Sequence, residues 1–232
     1  MNRETTRAWV RDGTAVFLRA VGALTESGFD APSALPGWRR REVVAHVGCN
    51  ARALGRLAYW GRTGEVTPMY SSPRARAEEI EQAATVPAEA LSYLARHSAA
   101  DLESTWDELP ERAWGTLVRS ATGRELFVSE TCWLRAREVW IHSADLDAGI
   151  TFASMPRDFL DTLIGDVLTS RMARGEEPPT LVDVATGRVR PGPGADEVFG
   201  SAPSLARWLT GRGDDGVRRA DGGPLWIPEP WI

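Results

Sequence analysis

The sequence predicts an α+β protein: an N-terminal four-helix bundle over 1–152, then a smaller α+β domain over 153–232. Three observations carry that reading. Four long stretches before Gly149 space their apolar residues at helical intervals. After Gly149 the pattern changes to short β-branched runs separated by Pro and Gly. His and Glu side chains fall on two of the buried helical stripes, and bundle cores are where facing helices build metal sites.

The elements follow in order. A first helix is expected over 4–27, with Trp9, Phe17, Val21 and Leu24 inward and Gly28 as its stop. Asp30–Trp38 carries Pro and Gly and reads as a loop. A second helix runs from Arg39 to Arg62, with Val43, His46, Val47, Asn50, Leu54 and Leu57 on one stripe. A Pro-bounded excursion, Thr67–Pro73, leads to a polar helical stretch over 74–84. A third helix spans Pro87 to Trp106, with Pro87 suited to its first turn. Leu117-Val118 and Leu126-Phe127 flank a hairpin turn at Thr122-Gly123. A fourth helix runs from Ser129, as N-cap, to Ala148, with Gly149 as its stop. In the second domain a helix over Pro156–Arg174 precedes strands at Thr180–Val184, Val189 and Asp196–Phe199. A helix over Ser201–Thr210 and a strand beginning at Val217-Arg218 complete it.

Composition narrows the chemistry. The chain has 232 residues and a net charge of −5, and lacks a basic tail, which argues against nucleic acid as a partner. No apolar run approaches the roughly 18 residues of a membrane span. The N-terminus lacks an apolar signal core, and the two cysteines, Cys49 and Cys132, make no disulfide framework, so a cytoplasmic protein is expected. All 27 basic residues are Arg, which excludes any Lys Schiff-base mechanism. No P-loop, dinucleotide fingerprint or nucleophile elbow is present.

The fourth helix holds the most informative stretch, Arg137-Glu138-Val139-Trp140-Ile141-His142. Glu138 and His142 are four apart and share one helical face. Both sit among apolar neighbours, where an unpaired polar group is costly. His46, on the buried stripe of the second helix, is the natural third member. Two His and one carboxylate leave a metal with open positions, and suit zinc, Fe(II) or another divalent ion. The competing reading is that each His is a satisfied core residue. Asp145, one turn beyond His142, is either an outer partner for its imidazole or a surface residue. Cys49 is expected to be a small buried hydrophobe, and His97 to be partly exposed.

At these residues the chain resembles the mycothiol-dependent maleylpyruvate isomerases, on a DinB-like bundle. The resemblance rests on Leu35-Pro36-Gly37-Trp38 leading into Val44-Ala45-His46-Val47, and on Thr67-Pro68-Met69-Tyr70 with Ser72-Pro73. It rests further on Ser129-Glu130-Thr131, on Arg137–His142, and on Gly211-Arg212-Gly213 with Asp215-Gly216. It implies zinc on His46, Glu138 and His142, with mycothiol as cofactor and maleylpyruvate as substrate. It also implies Arg212 near the metal, binding mycothiol or a carboxylate; Tyr70 and Arg74, with Arg76 beside them, are further candidates for cofactor or substrate contacts. The implied reaction is cis–trans isomerisation to fumarylpyruvate. A metal-activated thiolate adds to the alkene, the resulting single bond rotates, and the thiolate leaves. A monomer is expected. Another mycothiol-dependent thiol transferase on the same fold, or a non-enzymatic metal-binding interaction module, are the alternatives.

Overall fold

The computed structural model describes residues 2–226 and 228; residues 227 and 229–232, at the end of the expected second domain, lie outside the described residues. The chain divides into two compact units, Met1–Ile150 and Thr151–Ile232.

The first unit holds α1 (Arg3–Gly22), a one-turn α2 (Glu26–Phe29), α3 (Arg40–Thr63), α4 (Pro73–Ala84), α5 (Ala88–Asp107) and α6 (Thr131–Asp145). The long helices α1, α3, α5 and α6 make the bundle: α3 packs on α5 and α6, and α1 on α6 and α5, with α4 laid against α3. The apolar stripes meet in a core whose fully buried members include Phe17, Leu54, Leu57, Leu91, Trp106 and Ile141. Each such side chain contributes about 1.5–3 kcal/mol by leaving water. Between α5 and α6 the expected hairpin forms as β1 (Leu117–Arg119) and β2 (Glu125–Phe127), with Val118 opposite Leu126.

Local capping explains where the expected boundaries shift. Gly28 is not the stop of α1. That helix ends at Gly22, and Thr25 caps a new turn by accepting from the Gly28 amide at 3.1 Å. A capping side chain interrupts an apolar spacing that by itself runs on to Leu24. Ser129 is not the N-cap of α6. It lies in a 3-10 turn, Val128–Glu130, and the Glu130 carboxylate reaches back to the Phe127 amide at 2.7 Å. Gly149 does not end α6 either. The helix closes at Asp145, and Asp147 (φ 51°) already turns the chain. Pro87 is the residue before α5 rather than in its first turn.

Helix α1 approaches α6 closely at one glycine. A Cβ on Gly13 would lie 2.7 Å from Val139 Cγ2 and 2.8 Å from Trp140 Nε1. The indole has no room to yield, because Nε1 donates to the Trp9 carbonyl at 3.0 Å. Gly13→Ala is therefore expected to lower stability by about 1–3 kcal/mol through overpacking, despite the roughly 1 kcal/mol that Ala gains in helix propensity. Denaturant unfolding of the two proteins checks this; an Ala variant as stable as the parent contradicts it.

The second unit combines α7 (Arg157–Ala173) and α8 (Ala202–Leu209) with a four-stranded sheet. The strands are β3 (Thr180–Asp183), β4 (Val189–Arg190), β5 (Glu197–Gly200) and β6 (Val217–Arg219), in the order β4-β3-β5-β6. Only the β3–β5 pair is parallel. Buried Asp183 shapes the β3–β4 turn by accepting from the Ala185 amide and the Thr186 hydroxyl, at 3.0 and 3.1 Å. Buried Arg171 on α7 donates to the Leu209 carbonyl at the end of α8, at 2.9 Å.

Candidate metal centre

Two helices of the first unit supply the centre. Every third or fourth residue of α6, from Thr131 through Arg135, Glu138 and His142 to Asp145, is polar, and apart from Arg137 and Ser143 the rest of the helix is apolar. One face therefore carries all of them. Helix α3 presents His46 from the buried stripe opposite.

Three ligand-type atoms converge. His46 Nε2 lies 2.9 Å from Glu138 Oε2, and His142 Nε2 lies 3.2 Å from the same oxygen. The two imidazoles stand nearly perpendicular, with centroids 4.8 Å apart. Ligand atoms each 2.0–2.2 Å from one zinc ion stand about 3–3.5 Å apart, which matches these spacings. The 3.2 Å approach of His142 Nε2 is not a hydrogen bond: that nitrogen is buried without a partner. A buried, unpartnered imidazole nitrogen aimed at a carboxylate oxygen and a second imidazole nitrogen is the arrangement a divalent cation satisfies.

The outer surroundings differ between the two histidines. His142 Nδ1 is bonded to Asp145 Oδ2 at 2.9 Å, and Asp145 is itself buried. That settles the two sequence readings of Asp145 in favour of an outer partner. The carboxylate holds the proton on Nδ1 and leaves the Nε2 lone pair for the cation. His46 Nδ1 faces the Arg76 guanidinium at 3.5 Å, and the Trp38 ring stands 5.7 Å from the His46 ring.

Electrostatics follow from the geometry. Burial pushes Glu138 up, but the imidazoles of His46 and His142 hold its carboxyl well below the usual range. Burial pushes His142 down, and the carboxylates of Asp145 and Glu138 bring it above its ordinary value. His46 is lowered, chiefly by burial, with Glu138 opposing. The carboxylate is thus fixed as an anion, ready for a cation. Replacing Asp145 by Asn exchanges an acceptor-only carboxylate for an uncharged amide that can also donate to Nδ1, so the His142 tautomer is no longer fixed. Asp145→Asn is expected to weaken metal affinity by about 10–100-fold, measured by competition with a chelator; unchanged affinity contradicts the outer-partner role.

Comparison with known proteins decides the family. A family model described as the mycothiol maleylpyruvate isomerase N-terminal domain matches residues 10–147. A crystal structure of the mycothiol-dependent maleylpyruvate isomerase is 38% identical, over 100% of this chain and 98% of that chain, with a TM-score of 0.93. The chain belongs to the mycothiol-dependent maleylpyruvate isomerase family. A crystal structure of a histidine-to-alanine mutant of that isomerase matches equally well, at 37% identity and a TM-score of 0.93. Among curated proteins no relative matches.

The other candidate residues of this isomerase-family chain fall in different places. Arg74 is well exposed and pairs with Glu78 at 2.7 Å, one turn along α4. Arg76, two residues on, is the α4 arginine that reaches the centre. Tyr70 is half-buried, and burial raises its hydroxyl pKa, so the phenol stays protonated. It lines a cavity of about 470 Å³ with Arg56, Met69 and Glu79, and none of the three ligand-type residues lines that cavity. Arg212 belongs to the second unit, half-buried, donating to the Thr210 carbonyl at 2.7 Å. Cys49 points to the Glu79 carbonyl, at 3.8 Å, and is not in the ligand cluster. His97 is exposed and stacks on Tyr93.

Sequence reasoning assigned no role to Arg135. Its side chain is 1% exposed and donates through Nη1 to the Val47 carbonyl at 2.7 Å and to Asn50 Oδ1 at 3.0 Å. It ties α6 to α3 about one turn before Glu138 on the first helix and beside His46 on the second. The signal for it was the polar stripe of α6, where Arg135 lies three residues before Glu138.

Proposed function

We propose that the chain catalyses the mycothiol-dependent cis–trans isomerisation of maleylpyruvate to fumarylpyruvate, with zinc held by His46, Glu138 and His142. The observation that carries the reading is the convergence of those three side chains on one point, in a chain of this family. The protein is further read as a cytoplasmic monomer; no helix among the described residues is long and apolar enough to cross a membrane.

The alkene of the substrate cannot rotate until a nucleophile adds to it. The chain itself supplies none. Burial pushes the Cys49 thiol up to about 11 and the Cys132 thiol up to about 12, so neither is a thiolate at neutral pH. There is no Lys. A bound divalent metal and mycothiol together supply an acidified thiol whose reversible addition makes that double bond a rotatable single bond. The protein's part is to place and protect that chemistry. Asp145 orients His142, and Arg135 fixes the α3–α6 spacing. Glu138, His46 and His142 would hold the divalent metal with one anionic and two neutral donors. The burial of His46 and His142, with Glu138 half-buried between them, limits competition from bulk water and strengthens local electrostatics. We assign Arg212 to binding mycothiol or a substrate carboxylate, for which the planar guanidinium fork is suited.

The test is an assay of maleylpyruvate with zinc-loaded protein, with mycothiol, with no thiol, and with a thiol lacking the sugar. Fumarylpyruvate should form at an enzymatic rate only with mycothiol. Equal rates without it would sink the reading; turnover of other electrophiles but not maleylpyruvate would favour the thiol-transferase alternative.

A further inference from the structure

We propose that Arg76 and the Nδ1–H of His46 together form the seat for one carboxylate of the dicarboxylate substrate. This rests on the isomerase reading above and goes beyond it by naming a substrate-binding residue in the first unit.

The two histidines have unequal surroundings. An imidazole that gives Nε2 to a metal carries its proton on Nδ1, and that N–H needs an acceptor. His142 has one in Asp145, at 2.9 Å. His46 instead faces Arg76 Nη2 at 3.5 Å. A guanidinium is a donor only and never an acceptor. With Nε2 on a metal, two donors therefore face each other, one buried and one half-buried, and among the described residues no protein oxygen accepts from either side chain there. Among the described residues Arg76 makes no ion pair with any carboxylate, unlike its α4 neighbour Arg74. Trp38, edge-on to the His46 ring at 5.7 Å, adds an apolar wall rather than an acceptor. The two donors are placed to share one anionic oxygen group.

A carboxylate meets that need. One oxygen accepts from the His46 Nδ1–H and the other from the Arg76 fork, as charge-assisted hydrogen bonds. The same contact joins the substrate to a metal ligand, so binding the anion at His46 places the rest of a short dicarboxylate near the metal. Electrophiles without a carboxylate gain nothing from the seat, which makes Arg76 a residue of substrate choice.

The test compares zinc-loaded wild type with Arg76→Met and Arg76→Lys. Calorimetric titration with maleate, a non-reacting cis-alkene dicarboxylate, reads binding; metal analysis reads zinc content. Steady-state rates give KM separately for maleylpyruvate and mycothiol. Arg76→Met is expected to weaken maleate binding at least about 10-fold and to raise KM for maleylpyruvate similarly. The KM for mycothiol and the zinc content should stay unchanged. Arg76→Lys keeps the charge without the fork and should recover part of the loss. Unchanged maleate binding in Arg76→Met overturns the proposal, as does a wild type that does not bind maleate. Loss of zinc from Arg76→Met overturns it too, since Arg76 would then support His46 rather than substrate. A wild type that binds maleate through Arg76 yet does not isomerise maleylpyruvate leaves the anion seat standing and rejects the isomerase reading instead.

Discussion

His46→Ala is expected to yield a folded protein that holds almost no divalent metal and isomerises maleylpyruvate at least about 10³-fold more slowly. The size follows from the chemistry: a metal-type Lewis acid supplies several kcal/mol, and each 1.4 kcal/mol is a factor of ten. His46 is the sole contribution of α3 to the ligand cluster, so its loss leaves two donors from one helix face. The fold should survive, because the core stripe of α3 rests on Val43, Val47, Leu54 and Leu57 rather than on the imidazole. Metal analysis, far-UV circular dichroism and the rate assay check the three parts separately. Retained metal with full activity would contradict the assigned ligand set.

Arg135→Ala is expected to produce the largest stability loss of any single truncation in the centre, about 3–5 kcal/mol. The side chain is fully buried, and burial pushes its pKa down to about 10 against the pull of Glu138, so it remains a cation at neutral pH. Removing it leaves a void, strands Asn50 Oδ1 without its donor and takes from the Val47 carbonyl the bond it accepts beyond the helical one. For a chain of this size that corresponds to roughly 6–20 °C in Tm. Arg135→Met refills much of the volume but not the hydrogen bonds, and should recover only part of the loss. Because Arg135 links the two helices that carry the candidate ligands, metal affinity should fall along with stability. An Ala variant melting within about 1 °C of the parent would contradict this account.

The helices and their inward faces were legible because bundle packing depends on a local repeat. The Val43–Leu57 stripe of α3 and the Glu138/His142 pair of α6 can be read from spacing alone. Helix ends were less legible. Thr25 and Glu130 reset them through single hydrogen bonds, which apolar spacing does not register. In the second unit the short strands could be located, but the parallel pairing of β3 with β5 depends on contacts distant in sequence. The same limit applies at the centre. Asp145 was undecided until its carboxylate was placed against His142. Arg74 and Arg76 are indistinguishable as letters on a polar helix, and only the packing of α4 on α3 turns one to solvent and the other to His46.

The most direct test of the account is the rate of maleylpyruvate isomerisation, with mycothiol present, by chelator-stripped protein before and after zinc is restored. The account predicts activity near background in the stripped protein and full recovery at one zinc per chain. Undiminished activity in protein verified to be metal-free would contradict it.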